Sequence, residues 1–155
     1  MKDLPMKDLP MKDLPLPSET DASAAPATAA PWQDDVLAAL RLMIDSYRAP
    51  ERDGWCLALD RAQARWGETR GAIIFADLAQ VLARLRVARH SPFGFGRVDG
   101  SQPRPTRHEA LFLQVARLSH AGHAAQAEAV ATLLCEGNEI TAYLNAVRRL
   151  VAHLD

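Results

Sequence analysis

From Trp32 onward the apolar positions recur at spacings of three and four, the period of a helix with one buried face. A first helix over about 32–48 aligns Val36, Leu37, Leu40, Ile44 and Tyr47. Pro31, Asp34 and Asp35 suit its start, and Pro50 bars its extension. A second, about 54–66, carries Trp55, Leu59, Ala62 and Trp66, with Asp53 as expected N-cap and Gly67 as expected stop. The third, about 69–89, repeats Ile74, Leu78, Val81, Leu82 and Leu85, and Thr69 is placed to cap it. After an interval, Thr106 and Glu109 stand in capping-box spacing and open a fourth helix, about 106–121, with Leu111, Val115 and Leu118 inward and Gly122 at its end. A fifth over about 123–136 uses Ala127, Val130 and Leu134 and stops at Gly137. A sixth over about 138–154 has Asn138 as expected cap, with Ile140, Leu144, Val147, Val151 and Leu154 inward.

No segment sustains the period-two alternation of a strand. The pattern therefore predicts an all-α fold, a compact bundle of about six amphipathic helices in one domain over residues 31–155. The stretch from 90 to 105, "HSPFGFGRVDGSQPRP", breaks the helical pattern and reads as a long loop. Residues 1–30 are of another kind. They open with "MKDLP" three times over and continue Pro-, Ala- and Ser-rich. A proline at every fifth position forbids a continuous helix, and one Leu per repeat gives no face to stack, so this segment is expected to be a disordered tail.

Charge sharpens the division. Residues 1–35 hold all three lysines and seven acids, a net of −4; residues 36–155 hold 15 arginines and 12 acids, a net of +3. The Ala- and Arg-rich body suits a GC-rich bacterial genome. Two cysteines make no disulfide framework. No apolar run reaches the roughly 18 residues of a membrane span, and the N-terminal residues lack the apolar stretch of a secretory signal. A cytoplasmic protein without membrane contact is expected.

The chemistry-bearing residues do not form a motif. His120 and His123 have metal-pair spacing, but Gly122 between them is expected to end the helix and split the shared face. His108 and Glu109 lack the second histidine of the H-E-x-x-H metalloprotease pattern, and Glu109 already has a use in the capping box. No metal, cofactor or catalytic set is expected. Of the thiols, Cys56 in a first helical turn is better placed for reactivity than Cys135 in a last one. Asp77, inside the apolar run of the third helix, needs a partner from another helix.

By elimination, the sequence points to a non-catalytic helical module that binds or regulates another protein. The 90–105 loop is the expected contact element, with Phe93 and Phe95 as anchors and Arg97 and Arg104 as polar contacts. One alternative is a nucleic-acid-associated regulator. It would use the basic surface that Arg84, Arg86, Arg89 and Arg107 form with the loop arginines, six arginines against one acid between 84 and 107. A further alternative is an enzyme with a cryptic site involving Cys56 or the histidines.

Overall fold

A computed structural model describes residues 30–101 and 103–155. Six α-helices account for most of these: α1 (Gln33–Asp45), α2 (Gly54–Trp66), α3 (Glu68–Ala88), α4 (Arg107–His120), α5 (Ala124–Leu134) and α6 (Thr141–Val151). A single 3-10 turn, Pro50–Arg52, bridges α1 and α2. There is no strand among the described residues, so the all-α expectation stands. None of these helices is long and apolar enough to cross a membrane. The expected N-terminal tail lies outside the described residues.

The order of packing follows the chain and then closes on itself. α1 packs on α2, α2 on α3 and α3 on α6; α6 in turn packs on α4, and α4 on α5. One hydrophobic core runs through all six, with Leu40, Met43, Leu78, Leu85, Phe112, Leu134 and Leu150 among its fully enclosed side chains. The α1–α2–α3 unit is drawn tight by small residues. The buried side of α2 is Gly54, Ala58 and Ala62, not the stripe of Trp55, Leu59 and Trp66, which is only half-buried. A Cβ at Gly54 would overlap the Leu42 carbonyl of α1, and one at Gly71 of α3 would overlap the α2 backbone at Ala62 and Gln63. Helix backbones this close leave no room for large side chains between them.

Helix ends follow the chain's glycines more faithfully than its polar caps. Gly67, Gly122 and Gly137 all take positive φ where α2, α4 and α5 finish. Thr106 forms the full capping box with Glu109. Three other expected caps are not used. Asp53 adopts a left-handed conformation and makes no side-chain cap. Thr69 sits inside the first turn of α3, which begins at Glu68 after Gly67. Asn138 precedes α6, whose first residue is Thr141, and donates instead to the Ala88 carbonyl at 2.8 Å. Tyr47, expected inward, is 51% exposed because α1 ends two residues before it.

One interaction ties the long loop to both halves. Glu109 is fully buried, and its carboxylate accepts from Arg41 Nε at 2.8 Å and Arg41 Nη2 at 2.9 Å, a two-pronged pair between α1 and α4. The same carboxylate accepts the Thr106 N–H at 2.7 Å and the Gly96 N–H at 2.8 Å. Arg41 Nη2 also donates to the Arg104 carbonyl at 3.2 Å. Gly96 lies against the guanidinium, and a Cβ there would overlap it.

Removing one member of a buried pair strands the other, at about 3–5 kcal/mol. Glu109→Ala is expected to lose that much in urea unfolding. Exchanging both partners, Arg41→Met with Glu109→Met, should recover little, because the Gly96 and Thr106 amides would still lack an acceptor. Burial pushes the Glu109 carboxyl up, but the bonds from Arg41, Gly96 and Thr106 outweigh it and hold the carboxyl below its usual 4.5. Its stabilisation is therefore present above pH 4.5 and lost as pH falls through the lowered value. The urea midpoint should drop below pH 4.5, and drop less in Glu109→Gln.

Candidate interaction cleft

The loop that follows α3 is fastened at its start by a buried cation. Arg89, with 5% of its side chain exposed, donates through Nη1 to the Leu134 carbonyl at the end of α5. Its Nη2 reaches Ser91 Oγ at 3.0 Å and lies 3.2 Å from Glu136 Oε1. Glu136, at φ +60 in the turn after α5, accepts the His90 N–H at 2.9 Å, the Ser91 N–H at 3.2 Å and the Ser91 hydroxyl. Farther on, Gly94 is clamped from both sides. Its N–H donates to His108 Nδ1 at 2.7 Å, and its carbonyl accepts from Thr106 Oγ1 at 2.7 Å. The Phe93 ring lies 5.4 Å from the His108 ring, centre to centre.

This anchoring leaves a cleft of about 460 Å³ between the end of α1, the last turns of α3 and residues 91–93. Ile44, Leu82, Leu85 and Phe93 give it apolar walls. Arg86 and Arg89 are its charged lining residues, and Arg89 is paired with Glu136. The Arg86 guanidinium sits 4.5 Å from the centre of the Tyr47 ring, which also lines the cleft, and has no ion-pair partner among the described residues. The Arg89 Nε–H is buried and meets no acceptor there.

The residues expected to form the contact surface are split by this arrangement. Phe93 and Phe95 are both half-buried. Phe93 becomes a wall of the cleft, while Phe95 packs beneath Arg48, whose guanidinium is 5.5 Å from its ring centre. Arg97 and Arg104 are exposed, and Arg97 borders a separate recess with Arg48, Arg52 and Phe95. Arg84, Arg86 and Arg107 are exposed as a basic surface requires, but Arg89 is withdrawn from it into the α3–α5 junction. Sequence reasoning missed Arg41, although it stands four residues after Leu37 and three before Ile44 on the apolar face of α1. A charge in that register needs a buried partner, and that was the available signal.

Of the catalytic alternatives, Ser91, His108 and Glu136 do gather around Arg89, but not in the order of a nucleophile relay. The serine hydroxyl bonds to the glutamate, and the imidazole is engaged by Gly94 and faces Arg89 Nη2 at 3.4 Å. His120 pairs with Asp155 at 2.6 Å, and His123 lies beyond Gly122 at the start of α5. Among the described residues no three His, Cys, Asp or Glu side chains are grouped to hold a metal. Asp77 Oδ2 is buried without a hydrogen bond among the described residues, and His153 Nε2, just beyond the end of α6, lies 3.8 Å from it.

The described residues form a helical bundle with an apolar cleft bordered by two arginines. Compared with protein-family models, with curated proteins and with solved structures, the chain matches none.

Two measurements test this local chemistry. Burial, with the Arg89 and Arg107 charges, holds the His108 imidazole below 6.5 against the opposing pull of Glu136. The Gly94 bond assigns the neutral ring's proton to Nε2, so a second proton would break that bond beside a cation. The neutral form stabilises the fold above pH 6.5, and this is lost as pH falls through the lowered value. NMR titration should show the His108 ring and the Gly94 amide moving together with a midpoint below 6.5. For the thiols, Cys56 is exposed, whereas Cys135 is buried and burial pushes its thiol up to about 11. A thiol reagent should label Cys56 alone in the folded protein and reach Cys135 only on unfolding.

Proposed function

We propose that the chain is a non-catalytic helical interaction module that binds a segment of a protein partner in the cleft between α1, α3 and residues 91–93. The observation that carries this reading is a recess of about 460 Å³ whose walls are apolar and whose charged lining is wholly cationic. Pockets of this size with a few placed polar groups are the usual form of a binding site. The wall that Phe93 supplies is held by the Gly94 and Arg89 bonds, so the cleft is formed before anything enters it. Preorganisation of this kind lowers the entropy cost of association. A basic-surface reading finds support in the exposed Arg84 and Arg86 and the Arg48–Phe95 stack, and it differs in salt dependence.

A displayed library of random short peptides, selected on the full chain, tests the proposal. Bound peptides are expected to share an acidic residue next to Leu, Ile or Phe. Their affinity should fall about tenfold or more in an Arg86→Glu/Phe93→Ala variant that keeps its helical circular dichroism, as loss of a central anchor costs about 2 kcal/mol. Peptides held equally by the variant would refute the cleft. Binding of single-stranded oligonucleotides that collapses with salt would favour the arginine surface instead.

A further inference from the structure

The cleft specifies what fills it. Ile44, Leu82, Leu85 and Phe93 call for one aliphatic side chain, and Arg86, stacked on Tyr47 without an ion-pair partner among the described residues, calls for a carboxylate beside it. A proline after the aliphatic residue would add to the fit, because it biases the preceding residue toward the extended form and reduces the ordering cost.

That combination occurs three times in this chain. Asp3-Leu4-Pro5, Asp8-Leu9-Pro10 and Asp13-Leu14-Pro15 are the cores of the N-terminal repeat. Their distance from the cleft is compatible with a tether. Ala30 packs on the core just before α1, and the 13 residues of α1 carry the chain about 20 Å toward Ile44 and Tyr47. The 15 residues from Pro15 to Ala30 can extend to about 50 Å, so even the nearest copy reaches with slack. Each copy sets one lysine against one aspartate and so is neutral as a whole; the complementarity lies in the single aspartate beside the leucine, facing a cleft whose charged lining is two arginines.

We propose that the Asp-Leu-Pro repeats occupy this cleft in cis, one copy at a time. Leu4, Leu9 or Leu14 enters between Ile44, Leu82 and Phe93, and the preceding aspartate meets Arg86. The proposal rests on the reading of the cleft as a docking site and names an occupant that a partner must displace. A short motif binds weakly alone, with a dissociation constant on the order of 1 mM, but a tether supplies an effective concentration of similar size. Three interchangeable copies then leave the cleft open about a quarter of the time and weaken a partner's apparent affinity about fourfold.

The test uses the full chain with Cys56→Ser and Ser18→Cys, spin-labelled at the introduced thiol, since Cys135 is buried. Paramagnetic broadening is expected at the Tyr47, Arg86 and Phe93 amides. It should fall by at least half in Leu4→Ser/Leu9→Ser/Leu14→Ser and in Arg86→Glu, and should not depend on protein concentration. Broadening that is absent, or equal in the triple variant, overturns the proposal; broadening that grows with concentration assigns the repeats to a second copy and also overturns it. A library-selected acidic-aliphatic peptide, titrated into the triple variant, separates the two readings. If it still binds the cleft while the repeats do not, only the cis occupant fails; if neither binds, the cleft reading fails with it.

Discussion

Everything on the loop side of the molecule depends on the carboxylate of Glu109. It sits at the third position of a helix that its own capping box begins, and it is wholly enclosed. An enclosed carboxylate is tolerated only when its oxygens are fully met. Here four donors meet them: two from α1 through Arg41, one from the start of α4 and one from the loop at Gly96. The ion pair therefore sets helix register, helix start and loop path together. Because Arg41 and Glu109 are 68 positions apart, none of these can be correct until the two halves of the chain have met.

The loop is accordingly an integral part of the bundle. Its start is held by Arg89 and Glu136, its middle by His108 and Thr106, and its later part by Glu109. Phenylalanines that look like surface anchors in the sequence turn toward the body, one as a wall and one beneath an arginine. The loop thus contributes a shaped edge to a recess, and the recess takes its apolar character from α1 and α3.

How much of this was legible in the sequence varies with the kind of residue involved. Gly67, Gly122 and Gly137 marked helix ends correctly because positive φ is a local demand that glycine meets almost alone. The Thr106–Glu109 box was legible for the same reason, since both partners lie within one turn. Asp53, Thr69 and Asn138 were not, because several polar residues near a helix start can cap it and the docking of neighbours decides. The buried faces of α2 and α5 were displaced toward alanines: Ala58 and Ala131 are enclosed while Leu59 and Val130 are only half so. Hydropathy favours bulk, whereas close helix crossings favour its absence. The cleft itself was invisible, as it needs Ile44, Leu82 and Phe93 from three separate segments.

Arg89 has a consequence beyond the loop. The guanidinium that borders the cleft is also the group that satisfies the Leu134 carbonyl and so finishes α5. Any occupant that repositions Arg89 alters the capping of a helix on the far side of that side chain. The edge of the recess and the last turn of α5, which carries the widely exposed Leu133, thus share one side chain although they lie 45 positions apart in sequence.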